Sequence, residues 1–247
     1  MTKRFGKPTV FLATVLALLV GASAAIAARS SGSSTPESGT VEFSDSRLKV
    51  EINATDGDAG LQPFIDGDPW KKVRIINPEG DVIFKAQPEG KVKNYGLTEL
   101  FSESSEPPFT EFPLEKFQRL FPEGKYRFRG RTIDGQKMVG AAKLTHDFPD
   151  GPVITSPTAD QVVPAGSLLV QWNDVTTPAG IVIDGYQVLV VREDPLRVFN
   201  VDLPPTANSV TVPSEYFEPG TQYKVEVLAI EVSGNQTLTE LDFATAP

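Results

Sequence analysis

The sequence predicts an all-β protein: two tandem β-sandwiches, with one short helix in the first, behind a cleavable N-terminal signal peptide. Three observations carry this reading. From Val41 onward, short runs alternate apolar and polar residues between Gly, Pro and Asp clusters, the pattern of half-buried antiparallel strands. The 247 residues, 40% of them hydrophobic, suffice for two cores of ordinary size. The start of the chain is built unlike the rest.

Lys3, Arg4 and Lys7 precede an almost wholly apolar run, Val10 to Val20, and small residues follow, with Ala25-Ile26-Ala27 fitting a cleavage site. Residues 1–27 are therefore expected to be removed, which leaves a net charge near −12. An uncleaved anchor is the competing reading, because 8–28 approaches the ~20 residues that cross a bilayer. The small-residue end favours cleavage. No Cys is present for lipid attachment and Phe243 to Pro247 offers no apolar tail, so the cleaved chain is expected to insert in no membrane. Residues 28–40, rich in Ser, Gly and Pro, read as a flexible spacer.

Residues 41–148 form the first expected domain. Leu48 to Ile52, Val73 to Ile76, Asp81 to Phe84 and Tyr126 to Arg129 read as strands, and Pro78-Glu79-Gly80-Asp81 and Ile133-Asp134-Gly135-Gln136 as hairpin turns. Leu114, Phe117, Leu120 and Phe121 follow Pro113 at helical spacing, which predicts a helix over 113–121. The long connection Tyr95 to Phe112 interleaves acids with aromatics that should pin it down. Two prolines and a glycine within 146–152 mark a stiff hinge at 149–152.

Over 153–247 the strands become regular: Leu168 to Trp172, Gly185-Tyr186-Gln187-Val188, Ser209 to Val212 and Pro219-Gly220-Thr221-Gln222-Tyr223-Lys224-Val225-Glu226-Val227-Leu228-Ala229. This order resembles a fibronectin type III domain, with Trp172 at the family's early tryptophan. Phe217 stands where leucine is usual. The resemblance implies a sandwich with Trp172 between the sheets and Tyr223 as the tyrosine corner. It also implies a module that binds or spaces rather than catalyses. The family's Arg-Gly-Asp motif is absent. Phe121-Pro122-Glu123-Gly124-Lys125-Tyr126-Arg127-Phe128 echoes the 217–225 run, so the first half is expected to be an immunoglobulin-like sandwich cornered at Tyr126.

Zero cysteines exclude disulfides, thiolate nucleophiles and Cys-held metals, and the single His146 excludes two-His sites. No Gly-rich phosphate loop or G-x-S-x-G occurs, so no enzyme and no cofactor are expected. The charge of −9 argues against a large nucleic-acid or anionic-membrane surface. Cysteine-free export with a short basic start and an alanine-rich end reads as bacterial, secreted or within the cell envelope. Two sequons, at Asn53 and Asn235, matter only on a eukaryotic route.

Asp56, Asp58, Asp66 and Asp68 lie in two Asp-Gly-Asp runs that could present oxygens to calcium, but no EF-hand spacing supports them; plain Asp-Gly turns are the alternative. Trp70 either stacks on a ligand from a turn or plugs the core. The expected function is binding of an extracytoplasmic protein through sandwich loops or edges. The alternatives are a carbohydrate-binding accessory protein, which an exposed Trp70 would favour, and a spacer.

Overall fold

A computed structural model describes residues 39–247. The expected signal peptide and most of the spacer lie outside the described residues. The described chain is β throughout, with two hydrophobic cores, one drawn from residues 43–148 and one from 154–243.

The first half contains β1 (Thr40–Glu42), β2 (Asp45–Asn53), β3 (Asp58–Ile76), β4 (Val82–Ala86), β5 (Leu97–Phe101), α1 (Leu114–Leu120), β6 (Gly124–Thr132) and β7 (Lys137–Leu144). Strand β3 is the organising element. Its first part pairs antiparallel with β2, from Asn53↔Asp58 to Asp45↔Asp66, and its last part pairs with β6 and β4. The changeover falls at Gly67, where an added Cβ would lie 3.0 Å from Met138 Cε and 3.2 Å from Phe43 Cδ1. A side chain there would have to push Met138 or Phe43 aside by a few tenths of an ångström, so glycine gives the closest approach to the core. One bent strand thus serves both layers of a sandwich-like core, the device by which strands form sheet corners. A bulge between Trp70 and Lys72 shifts the register, so that Trp70 and Val73 both point inward while Lys72 points out.

The two expected hairpin turns form, with Gly80 and Gly135 at φ of 103° and 92°. The expected helix forms over seven residues. Phe117 is its buried anchor and meets Phe121 edge-on at 5.0 Å, while Leu120, expected on the apolar face, is 56% exposed. The connection after β5 runs along the free side of β3. Ser102 and Ser104 donate their backbone N–H to Pro63 and Leu61, and Phe109 donates to Gly57. This covers an edge that would otherwise be bare.

The second half contains β8 (Ile154–Ser156), β9 (Gln161–Val163), β10 (Leu168–Trp172), β11 (Ile183–Arg192), β12 (Arg197–Leu203), β13 (Ser209–Val212), β14 (Gln222–Glu231) and β15 (Gln236–Thr245). Sheet β13–β10–β8 faces sheet β12–β11–β14–β15 across a core of Val170, Val188, Val190, Val225, Val227 and Phe243. Trp172 is buried there, 5.4 Å from the ring of Tyr186.

Both tyrosine corners are present. Tyr223 Oη accepts the N–H of Glu218 at 2.8 Å, and Tyr126 Oη donates to the Pro122 carbonyl at 2.9 Å. Each bond ties a strand to the chain four or five residues upstream. We expect Tyr126→Phe and Tyr223→Phe each to cost about 1 kcal/mol, or roughly 3 °C in Tm, measured by thermal unfolding.

The two halves are joined by more than the connecting chain. Strand β15 pairs in parallel with β9 near its end and with β2 near its start, where Gln236, Thr237 and Leu238 lie opposite Glu51, Ile52 and Asn53. Among the described residues, twelve strands thereby belong to one hydrogen-bonded sheet that runs through both halves. Asn235 locks the seam. Its Oδ1 accepts the Val50 N–H, and its Nδ2 donates to Thr145 and Asp147, at 2.9–3.2 Å. The segment 149–152 runs beside the seam: a Cβ on Gly151 would come within 2.5 Å of Thr239 Oγ1 and 2.7 Å of Ala54 Cβ.

Candidate functional site

The four aspartates singled out for calcium are not brought together. Asp56 lies in the β2–β3 turn and Asp58 at the start of β3, while Asp66 and Asp68 lie further along the same strand. Eight residue steps of extended chain separate Asp58 from Asp66, roughly 26 Å. Asp66-Gly67-Asp68 is strand and corner, not a loop. The turn at 53–58 is explained by Asn53, whose Oδ1 accepts the N–H groups of Thr55 and Asp56.

Different carboxylates converge. On the outer side of β2 and β3, oxygens of Glu51, Glu103 and Glu106 lie within 4.8 Å of one another. Glu51 is buried and bonded to Gln236; Glu103 accepts from Gln62 at 2.6 Å. Burial, then the neighbouring Glu103, pushes Glu106 up to about 8. Burial, then Asp56, pushes Asp58 up to about 6, and Glu51 is also raised. Across β15, burial and Glu240 push Glu226 up to about 8. Protonation relieves this crowding, and its consequence is thermodynamic.

Trp70, Phe64 and His146 are structural, whereas Tyr95 is 83% exposed. Trp70 is fully buried in the first core, which removes the exposed indole that favoured sugar stacking. Phe64 is buried beneath the Arg47 guanidinium, 4.3 Å from the ring centroid. His146 Nε2 lies 2.9 Å from the Phe121 carbonyl, in a cleft of about 330 Å³ between 146–148, 178–182 and 231–232. Asn53 and Asn235, the two sequon residues, are buried.

The most distinctive surface was not anticipated. The stretches 70–76, 82–86, 124–132 and 137–144 contain no acidic residue. Strand alternation sends Tyr126 and Phe128 into the core, so Lys125, Arg127, Arg129 and Arg131 project from β6 on the other side. Register then aligns cation with cation: Lys72 opposite Arg131, Arg74 opposite both Arg129 and Lys85, Arg131 opposite Lys137, and Lys125 opposite Lys143. All are exposed except the half-buried Arg129. None forms an ion pair with a described carboxylate; Arg129 and Arg131 bond only the carbonyls of Phe128 and Gly135. Part of this face forms a groove of about 580 Å³. Like charges directly opposite destabilise a sheet, so nothing in the fold asks for this arrangement.

Net charge hid the face because it is a sum. After residue 150 the chain carries twelve carboxylates against Arg192, Arg197 and Lys224 alone, and these mask the cations of the first half.

Comparison with known proteins bears on the second half most directly. The family described as "Fibronectin type III domain" matches residues 154–241. Among solved structures, one titled "Myokine structure" is 24% identical, with 40% of this chain and 99% of that chain covered and a TM-score of 0.32. The chicken CNTN1 FN1-FN3 domains are 14% identical, covering 85% of this chain and 65% of that one, at a TM-score of 0.34. A two-domain fibronectin type III segment of chicken tenascin is 12% identical, covering 81% and 97%, at 0.30. With Trp172 between the sheets and Tyr223 at its corner, residues 154–241 are a fibronectin type III domain.

Proposed function

We propose that the protein is an exported, non-enzymatic interaction module that engages a negatively charged partner through the basic outer face of β3, β4, β6 and β7. Fibronectin type III domains are commonly extracellular interaction modules and typically non-catalytic. The sequence pointed to loops or edges as the contact surface. The geometry favours a sheet face instead, and one observation carries this: five directly opposed pairs of like-charged residues with no carboxylate among them.

Such a face attracts anions over a distance of about a Debye length, and its arginines can bind carboxylate, sulfate or phosphate with two hydrogen bonds each. The test is retention on a sulfopropyl cation-exchange resin at pH 7 and low salt. A protein this acidic would pass through if its charges were evenly mixed; we expect it to be retained. Arg74→Gln/Arg129→Gln/Arg131→Gln should pass through, while Lys91→Gln/Lys116→Gln, outside the face, should stay bound. Passage of the parent chain at low salt would end the reading.

A further inference from the structure

We infer that the partner of this face is a linear anionic polysaccharide, bearing carboxylate or sulfate groups along its chain; the inference rests on the proposed role of the basic face. The cations form a lattice: outward residues of β6 repeat about every 6.8 Å along the strand, and facing residues on β3 and β7 lie about 5 Å across. A folded partner would have to match this with a few fixed charges. A chain with repeating charge can lie over several rows at once and slide between registers without losing contacts.

What the face lacks selects among polyanions. Stable protein interfaces centre on buried aromatic or aliphatic anchors, and here no apolar side chain larger than the half-exposed Val82 and the partly buried Val139 opens to solvent in the groove. Sequence-tolerant binding of single-stranded nucleic acid uses rings on which bases stack, but Tyr126 and Phe128 point into the core. A membrane surface is gripped by apolar side chains inserted beneath the headgroups, and this face has none of the size needed. Neutral sugars stack on exposed aromatic faces, which are missing for the same reason. Charge is what remains, carried on a flexible, apolar-poor chain.

The experiment is binding of the chain to five probes in 50 mM salt, by isothermal titration or biolayer interferometry: polygalacturonate, dextran sulfate, neutral dextran, polyglutamate and a single-stranded oligonucleotide. Phosphatidylglycerol vesicles serve as a sixth, in a co-sedimentation assay. We expect binding to polygalacturonate or dextran sulfate at least tenfold tighter than to polyglutamate, oligonucleotide or vesicles, and none to neutral dextran. Raising salt to 300 mM should weaken it on the order of tenfold. Arg129→Gln/Arg131→Gln should weaken it at least tenfold with an unchanged circular dichroism spectrum. Equal or tighter binding of polyglutamate, oligonucleotide or vesicles would overturn the assignment to a glycan, as would glycan binding that the arginine variant leaves intact. Retention on the sulfopropyl resin without glycan binding would overturn this inference alone; loss of both would remove the basic face as a site.

Discussion

Asn235→Ala is expected to lower the Tm by about 10 °C. The side chain is 1% exposed and bridges the two halves. Removing it strands the Val50 N–H and deprives the Thr145 and Asp147 carbonyls of a donor, all at the seam. Buried groups left without partners cost about 1–3 kcal/mol each where water cannot replace the bond, so a total of about 3–4 kcal/mol is reasonable. For a body of this size that corresponds to about 10 °C. Trp70 and Trp172 are the only tryptophans, one in each core, and fluorescence therefore reports both halves. The parent chain should unfold in one transition. The variant should unfold earlier, and a separation into two transitions would show that the seam couples the halves. A shift below 2 °C would mean that the sheet pairing alone holds them.

The second large effect is a loss of stability as pH rises from 5 to 8.5. Glu226 and Glu106 are each pushed up to about 8 in the folded protein, chiefly by burial, and Asp58 to about 6. A carboxyl group with a raised folded pKa holds its proton more tightly folded than unfolded. Its contribution is complete below the unfolded value, near 4.5, and disappears as pH climbs through the folded value. Ordinary carboxylates have finished ionising by about pH 6, so a slope between 6 and 8.5 isolates the buried acids. We expect the Tm at pH 6 to exceed that at pH 8.5 by roughly 5 °C. Glu106→Gln/Glu226→Gln, which keeps the shape and removes the charge, should flatten the profile and raise stability at pH 8.5. Lys49, which burial pushes down, is linked in the opposite direction. A slope that persists in the double variant would assign the effect elsewhere.

Local chemistry was the legible part of the sequence. The Pro-Gly-Thr-x-Tyr run announced β14, and the 121–128 echo announced a second tyrosine corner, because such corners depend on contacts four or five residues apart. The hairpin glycines and α1 were readable for the same reason. Strand β3 was not. Pro63, Gly67 and Pro69 punctuate it like a loop, whereas they mark a strand that bends to serve two layers. The calcium expectation for Asp56, Asp58, Asp66 and Asp68 takes both Asp-Gly-Asp runs as turns, whereas 66–68 lies within β3. The seam pairs residues some 185 positions apart, and nothing in the local pattern of Glu51 or Gln236 announces the other. The basic face was half visible. Alternation in Tyr126 to Arg129 showed that two arginines project together, but only the register with β3, β4 and β7 shows what stands beside them.

The shared sheet has a consequence for how this chain can be cut and exchanged. Fibronectin type III domains are often handled as portable cassettes. Here, a truncation at residue 150 would strip β2 from the start of β15, bare the backbone groups of 236–238 that face it and remove Lys49, which donates to the Gln236 side chain. An unprotected strand edge recruits another strand. The isolated cassette should therefore dimerise or precipitate through β15, and a recombination junction in this chain belongs before residue 40, where no described strand is parted from the strand it pairs with.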